Sequence, residues 1–196
     1  MEERARVREL IRALSPGDLQ ERDDLAAAGA WVDSGLPLYR IGGAASPPRH
    51  LVSYFVVFDP AEGRLLLGDH RKSGLWLPPG GHVEPGEHPW ETVVREAEEE
   101  LRIVAEPWRR EPLMLTIGET VGAPARHTDV SFWYVVEASS GRSVDCDANE
   151  YVSVGWFGLD ELPSDRVEPN LPRFVLKLRA ELNASDKVAD RTRIES

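Results

Sequence analysis

The chain has 196 residues, of which 41% are hydrophobic and 29% are charged, as is typical of a globular protein with one full domain and a smaller extension. Its formal net charge of −11 argues against broad contact with nucleic acid or an anionic membrane, because both need a basic surface. A small phosphate-bearing substrate is compatible with this charge, since bound cations can neutralise it locally.

Cysteine content and hydropathy bear on where the chain resides. Cys146 is the single cysteine, so no intrachain disulfide can form, which is typical of a cytosolic protein. No apolar run reaches the length of a membrane span, and the first residues (MEERARVREL) are charged where a signal peptide would be apolar. The sequence therefore predicts a cytoplasmic protein without a membrane partner.

The N-terminal part predicts two helices and a connector. Apolar residues at helical spacing predict a short amphipathic helix over residues 4–14. Ser15 as N-cap and Pro16 at the first helical position predict a second helix that ends at Gly35. Residues 36–49 are rich in Pro and Gly and predict a connector. The apolar stripes of both helices must be buried, either against the rest of the chain or against a second subunit in a homodimer.

From His50 onward the pattern changes to strands. The strands are predicted over 51–58, 64–68, 113–119, 130–138 and 151–157, with helices over 88–102 and 174–182. This order favours an α/β fold, an α/β/α sandwich around a mixed sheet. The predicted organisation is a helical extension with its connector over 1–49, a domain over 50–183 and a frayed polar tail over 184–196.

The predicted helix over 88–102 is crowded with acidic residues. Its apolar residues fall on one stripe, which is the face expected to be buried. Glu96, Glu99 and Glu100 are three and four positions apart, so their carboxylates emerge together on a different face. Such a cluster is either a solvated acidic surface or a seat for a positive group.

The other charges of this helix have predicted partners. A spacing of four residues predicts that Glu91 pairs with Arg95 and that Glu98 pairs with Arg102. The three co-facial glutamates have no such partner and repel one another. They also follow a Gly-Gly loop, where the backbone can approach a ligand closely. Because Mg²⁺ prefers carboxylate oxygens, the cluster is a plausible metal site.

The spacing of the loop and helix resembles the signature of a known family. Gly81 is followed after five residues by Glu87 and after seven more by the run Arg95-Glu96-Ala97-Glu98-Glu99-Glu100-Leu101-Arg102-Ile103. This resembles the Nudix box, which reads G, five of any residue, E, seven of any residue, then R-E-U-x-E-E-x-G-U with U apolar. All specified positions match except Arg102, where the family usually has the glycine that ends the helix. The resemblance covers residues 50–183.

The resemblance implies a metal site and an activity. It implies that Glu96, Glu99 and Glu100 hold Mg²⁺ or Mn²⁺, with the carbonyl of Gly81 as a further ligand. Metal ions there would polarise a phosphoanhydride and lower the pKa of the attacking water. The implied function is a pyrophosphohydrolase acting on a nucleoside diphosphate linked to another group.

The resemblance also implies roles for neighbouring residues. Glu96 is the first candidate for the general base, and Glu150 is the alternative, because relatives often recruit a base from a later loop. Without the resemblance, Glu150 is equally an ordinary turn residue before a strand. Arg95 is expected to hold Glu87 in place and so to orient the site. An acidic residue at a helix start would also suit the position of Glu87.

Residues expected to contact the substrate are less specific. His70, Arg71 and Lys72 could bind phosphates, although a charged run in a loop is more often only solvated. Trp76 could stack on a base, but aromatic residues in strands, including those at positions 132–134, are more often core. His82 and His127 lack the close spacing of metal-ligand pairs, so they are not expected to bind metal.

Three classes of function compete. The first is a hydrolase acting on a nucleoside triphosphate, which can be a damaged or noncanonical one, with ADP-ribose or a nucleotide sugar as the alternative substrate. The second is a non-catalytic module that senses a nucleotide, and the intact glutamates disfavour it. The third is an isomerase of isoprenoid diphosphates, which the absence of a catalytic cysteine disfavours, since Cys146 lies in a polar turn far beyond the box.

Overall fold

The computed structural model describes residues 2–42, 47–119, 127–163 and 165–194, with four helices and eight strands in these ranges. The helices are α1 (Glu2–Ala13), α2 (Leu19–Asp33), α3 (Pro89–Leu101) and α4 (Leu171–Ile194). The strands are β1 (Arg49–Asp59), β2 (Arg64–His70), β3 (Trp76–Leu77), β4 (Gly80–His82), β5 (Glu106–Pro107), β6 (Met114–Glu119), β7 (Thr128–Glu137) and β8 (Tyr151–Gly158). No helix of these ranges is long and apolar enough to cross a membrane.

The strands form one mixed sheet around a central parallel pair. The path is β3-β2-β1-β7-β5, and β4 pairs with β1, β6 with β7 and β8 with β2. The β1–β7 pair is parallel, whereas every other pairing along this sheet is antiparallel. Because a parallel pair needs a long crossover, the chain between β1 and β7 has room for the hairpin, the glycine loop and α3.

Two hydrophobic cores lie on opposite faces of the sheet. Neighbouring residues of β1 alternate between them, as strand geometry requires: Phe55 and Val57 belong to the core that holds α3, and Val56 and Phe58 to the core that holds α4. The aromatic residues 132–134 of β7 are fully buried, so they are core residues, as expected. The α/β/α sandwich predicted from the sequence is confirmed.

The N-terminal helices pack on the same chain. Val7 of α1 and Trp31 of α2 are buried in the core that holds α3. Glu21 is 1% exposed, and both its carboxylate oxygens accept from the ammonium of Lys177 in α4, at 2.6 and 2.8 Å. Burial of these apolar stripes therefore does not require a second subunit.

Several element ends differ from the sequence-based expectation. Asp18, not Ser15, is the N-cap of α2, because its carboxylate accepts from the backbone of Glu21 at 2.7 Å. The last helix was predicted to end at residue 182, but α4 continues to Ile194, so the frayed tail over 184–196 was wrong for its described part. The strands β3, β4 and β5 are too short to give a periodic signal and were not predicted.

Candidate active site

The helix that carries the glutamates is capped at both ends. His88 accepts from the backbone of Trp90, Glu91 accepts from the backbone of His88, and Pro89 occupies the first helical position. At the other end Arg102 adopts a left-handed conformation (φ 54°, ψ 34°) and its N–H reaches back to the last turn. Arg102 thus ends α3 as glycine would, at a cost of about 1 kcal/mol for a non-glycine residue in this region.

The glycine loop lies against α3 with no space for side chains. A Cβ on Gly81 would lie 1.8 Å from Oε1 of Glu96, and one on Gly80 would lie 2.3 Å from the carbonyl oxygen of Ser53 in β1. Glycine is therefore required at position 80, where the neighbouring atom belongs to the backbone, and a side chain at position 81 would have to displace the carboxylate of Glu96. This contact brings the backbone of β4 directly to the acidic face of α3.

Arg95 joins the glutamates of this face to the loop. Its guanidinium donates to both oxygens of Glu87 at 3.1 and 3.2 Å, to Oε1 of Glu96 at 2.6 Å and to the carbonyl of His82 at 3.1 Å. Glu99 lies 3.6 Å from the same guanidinium. The contact expected between Arg95 and Glu87 is present.

Three expectations about charge pairing were wrong. Glu91 caps the helix instead of pairing with Arg95, and Arg102 donates to the backbone carbonyl of Glu98 rather than to its carboxylate. Glu99 was expected to have no partner four residues away, yet it pairs with Arg95, which also contacts Glu96. Arg95 does not pair with Glu91 because its guanidinium is engaged by Glu87 of the preceding loop.

Burial shifts the titration of the cluster. Burial raises the pKa of Glu96, although Arg95 opposes the shift. Burial also raises the pKa of Glu100 to about 8, with the negative charges of Glu96 and Glu150 adding to the effect and the hydroxyl of Tyr151 opposing it. That hydroxyl donates to Oε2 of Glu100 at 2.6 Å. A carboxyl held in this environment is stabilised in its charged form when a cation is bound.

The loop that contains Glu150 meets the loop that contains the basic run. The carboxylate of Glu150 accepts from the ammonium of Lys72 at 3.2 and 3.3 Å and lies 3.4 Å from Nε2 of His70. Arg71 donates to the carbonyl of Ala148 at 2.6 Å. The candidate base and the candidate phosphate-binding residues are thus neighbours, and Lys72 is engaged by Glu150.

A cavity of about 400 Å³ opens beside these loops. Its wall includes Tyr54, His70, Leu77 and Glu168, together with Gln20 from the N-terminal extension. His70 also connects the cavity wall to Glu150. The extension therefore contributes a side chain to this cavity as well as buried apolar surface.

Trp76 does not face this cavity. Its ring packs edge-on against Phe157 with centroids 5.1 Å apart, and it belongs to the core that holds α4. The residues on either side of it in sequence, Leu75 and Leu77, line the cavity instead, as alternation along a strand requires. The aromatic side chain in the cavity wall is Tyr54, which sequence reasoning did not single out.

Sequence reasoning also missed two polar residues. Tyr151 reads as the first residue of a strand, yet its hydroxyl contacts Glu100 across the fold. Glu168 follows a poorly patterned segment, and burial raises its pKa while hydrogen bonds from Asn170 oppose the shift. No local motif marks either residue, because each meets the site through tertiary contacts alone.

The acidic face has the donor chemistry of a divalent cation site. Glu96 and Glu100 supply partly buried carboxylates, Glu99 supplies a more exposed one, and the backbone of Gly81 lies against Glu96. The pKa of Glu100 is raised chiefly because burial disfavours the charged carboxylate, and a bound cation would stabilise that charge. Hard cations such as Mg²⁺ bind oxygen donors of this kind, so the residues fit the metal that the sequence implies.

An α/β/α sandwich with this acidic helix and glycine loop defines a class of protein. A family model described as NUDIX domain matches residues 48–178. The chain is 30% identical over 125 residues to a MutT-like protein of Streptomyces ambofaciens, covering 64% of this chain and 75% of that protein. It is 52% identical over 42 residues to an asymmetrical bis(5'-nucleosyl)-tetraphosphatase of Caenorhabditis elegans, covering 21% of this chain and 30% of that protein.

A solved structure agrees with these matches. The crystal structure of a MutT NUDIX hydrolase from Burkholderia pseudomallei superposes with a TM-score of 0.52 at 27% identity, covering 66% of this chain and 96% of that one. The chain belongs to the NUDIX family. It is a hydrolase of phosphoanhydride substrates, as the resemblance of its motif implies.

Proposed function

We propose that the chain hydrolyses a phosphoanhydride bond of a nucleoside triphosphate, canonical or damaged, in the presence of Mg²⁺ or Mn²⁺. The contact between Gly81 and Glu96 carries this proposal, because it brings the glycine loop against the helix that carries the three carboxylates. A surface that was merely acidic and solvated would need neither the glycine nor the close approach.

The metal would be held by Glu96, Glu99 and Glu100 with the carbonyl of Gly81. When bound, it supplies polarisation of the phosphoanhydride and a water of lowered pKa. Arg95 holds Glu96 and Glu87 in one orientation through its fork of donors.

Two carboxylates are the candidates for the base that accepts the proton of the attacking water. The water oxygen forms a bond to phosphorus, the bridging P–O bond breaks, and the proton passes to the base. Glu96 is the first candidate because it lies within the acidic face. Glu150 is the alternative because it lies near both Glu100 and the cavity-lining His70. The ammonium of Lys72 would leave the carboxylate of Glu150 when it turns to a phosphate of the substrate.

The cavity supports a substrate with a single nucleoside. Its volume of about 400 Å³ lies at the low end of the range for small-molecule sites. Tyr54 offers an aromatic wall and Glu168 with Asn170 offers polar groups for a base. Arg71 and Lys72 are the proposed phosphate contacts, while Trp76, which packs in the core, is the weakest of the proposed substrate residues.

A substrate screen tests the proposal. The full chain is incubated with nucleoside triphosphates, including oxidised ones, a dinucleoside tetraphosphate, ADP-ribose and a nucleotide sugar, each with Mg²⁺ or with a chelator. We expect metal-dependent conversion of a triphosphate to a monophosphate and pyrophosphate. Preferred cleavage of ADP-ribose or a nucleotide sugar would replace the substrate assignment, and binding without turnover of any compound would favour a sensing module.

The base is assigned by comparing two variants on the preferred substrate. Glu96→Gln and Glu150→Gln are measured in single-turnover reactions at several pH values and at saturating metal. The variant with the larger loss in the chemical step, and with metal affinity retained, identifies the base. Unchanged chemistry in both would remove both residues from this role.

A further inference from the structure

Three histidines and an aspartate meet at one end of the central strands. One ligand atom from each of His50, His82, His127 and Asp129 lies within 4.8 Å of the others. His50 and Asp129 are paired across the parallel β1–β7 ladder, and His82 pairs with Val52 on the other side of β1. These residues are distant in sequence, so their meeting is a product of the sheet.

The orientation of the His50 ring points to a cation. The ring is 1% exposed, and its Nδ1 lies 3.4 Å from the carbonyl oxygen of Pro47, which can only accept. With Nδ1 turned to this carbonyl, Nε2 faces the cluster. There it lies 3.1 Å from Oδ1 of Asp129 and makes no hydrogen bond. A ring nitrogen and a carboxylate oxygen at this distance are a donor pair that one cation can bridge.

The second and third histidines complete the arrangement. Nε2 of His127 lies 3.5 Å from the same Asp129 oxygen, so two imidazoles converge on one carboxylate. The His82 ring lies 4.7 Å from the His50 ring, centroid to centroid.

One cation already borders the cluster. The guanidinium of Arg40 lies 3.5 Å from Nε2 of His82. Arg40 is exposed, so its side chain can turn into solvent when a metal binds. The carbonyl of Pro47 behind His50 is the kind of hydrogen-bond partner that orients metal-bound histidines in known sites.

We propose that His50, His82, His127 and Asp129 form a site for a transition-metal ion of the zinc type, separate from the glutamate cluster. Zinc binds imidazole nitrogen and carboxylate oxygen at about 2.0–2.2 Å, which sets tetrahedral ligand atoms about 3.3–3.6 Å apart. The His50–Asp129 and His127–Asp129 distances of 3.1 and 3.5 Å are close to that spacing. Mg²⁺ prefers oxygen donors and is disfavoured by three imidazoles.

The site would act by positioning. Four protein ligands close the coordination sphere, as in structural zinc centres, and leave no place for a reacting water. His82 directly follows Gly81, and its carbonyl accepts from Arg95. Asp129 also lines the cavity. A metal at this site would therefore fix the end of the glycine loop against the wall of the cavity.

Metal binding by the untagged full chain tests the proposal. The protein is stripped with a chelator and titrated with Zn²⁺ against a competing indicator, and Co²⁺ is then used as a visible-absorption probe. We expect one tightly bound Zn²⁺ per chain, an intense Co²⁺ spectrum of tetrahedral type and a raised melting temperature. A chain that retains no Zn²⁺ at micromolar concentration, or a weak octahedral Co²⁺ spectrum, would overturn the site in favour of a protonated histidine–aspartate pair.

Variants locate the bound ion. His127→Gln and Asp129→Asn should each weaken Zn²⁺ binding by about tenfold or more, because even groups behind a metal ligand contribute about 10–100-fold. His88→Asn, which keeps an N-cap residue on α3, should bind Zn²⁺ as the parent does. Glu100→Gln should also retain the tetrahedral Co²⁺ spectrum. Loss of the spectrum in Glu100→Gln, or parental affinity in both cluster variants, would assign the ion to the glutamates and reject this site.

Discussion

The glutamate cluster of α3 and the histidine cluster at the ends of β1, β4 and β7 are built in opposite ways. The glutamates lie within one helix, where a fixed spacing sets their common face whatever the rest of the chain does. The histidines share no segment, and only the pairing of β1 with β4 and β7 brings them together. The spacing of residues along the helix sets the glutamate cluster, whereas the histidine cluster forms only when the sheet is folded.

This difference explains which residues a reader of the sequence can find. Local spacing announces Glu96, Glu99 and Glu100, but it says nothing of their partners. Arg95 turns to Glu87 instead of Glu91, and Tyr151 reaches Glu100 from a distant strand. The pKa values of the glutamates on the helix therefore depend on tertiary contacts that the helix sequence does not specify.

The largest loss of activity is expected from substitutions in the glutamate cluster of α3. Glu99→Gln and Glu100→Gln each remove a charged ligand from the proposed metal site. We expect kcat/KM to fall by about a hundredfold or more in each, since metal stabilisation of the transition state contributes several kcal/mol and each 1.36 kcal/mol is tenfold. Steady-state rates over a range of Mg²⁺ concentrations measure the loss.

The matched control is Glu98→Gln. Glu98 lies on the same helix and carries the same charge, but it is exposed and its carboxylate lies outside the co-facial set. Its rate should stay within about twofold of the parent, as for a surface substitution. Equal losses in all three variants would mean that total helix charge matters rather than a cation site, and the ligand assignment would fail.

The second prediction concerns a glutamate whose role only the fold reveals. Glu21 reads as an ordinary first-turn residue of α2, yet it is buried and paired with Lys177. Glu21→Gln should lower the free energy of unfolding by about 3 kcal/mol, because breaking a buried pair leaves an uncompensated ammonium. Urea unfolding measures the change.

A double variant separates charge from packing. Replacing both partners by methionine removes the uncompensated charge, so Glu21→Met with Lys177→Met should be more stable than Glu21→Gln alone. A single variant as stable as the parent would show that the pair is an ordinary surface contact, and the extension would then be attached by its apolar stripes only.

The third prediction tests a distant residue that adjusts the local cluster. The Tyr151 hydroxyl opposes the rise in the pKa of Glu100, so Tyr151→Phe should raise that pKa further above about 8. Because the cation binds the ionised carboxylate, the variant should need more Mg²⁺ at pH 7 and recover as the pH rises. We expect about a tenfold loss in Mg²⁺ affinity at pH 7, the value of one hydrogen bond to a charged group.

The measurement is the Mg²⁺ concentration for half-maximal activity at several pH values. Tyr39→Phe is the control, since Tyr39 lies in the connector beside Glu3 and should leave this profile unchanged. A Tyr151→Phe variant whose loss is the same at every pH would mean that the ring positions α3 by packing, and that the hydroxyl does not tune Glu100.

The sequence predicts helices and strands whose residues show a clear periodic spacing. It misses features that depend on tertiary contacts. Helix α3, the long strands and the glycine contact with Glu96 follow from spacing and from the family motif. The start of α2 was misplaced, because Ser15 offers as good a local N-cap as Asp18, the residue that caps the helix. The direction of Trp76 was missed because β3 has two residues, too few to display alternation. His82 and His127 were set aside because metal-ligand motifs are recognised by short spacing, which a sheet does not need.

The smallest predicted effect falls on a residue that has a local and a tertiary role at once. Asp18 caps α2 through the backbone of Glu21 and forms a two-pronged pair with Arg173 of α4, at 2.8 Å for each contact. The hydrogen bond from Arg173, followed by the cap, lowers the pKa of Asp18 from 3.8 to about 2. Asp18→Asn keeps a good cap and removes the charge, so it isolates the tertiary part.

The pH dependence decides between the two roles. A folded-state pKa below the unfolded value means that the native state favours the ionised form, so the stabilisation is complete above pH 3.8 and is lost as the pH falls through about 2. Because the carboxylate is 42% exposed, solvent screening reduces the effect to roughly 1 kcal/mol. Urea unfolding of the parent and of Asp18→Asn should differ by that amount at pH 7 and converge near pH 2. A difference that persists unchanged at low pH would assign the contribution of Asp18 to the local cap, and α2 would then owe nothing to Arg173.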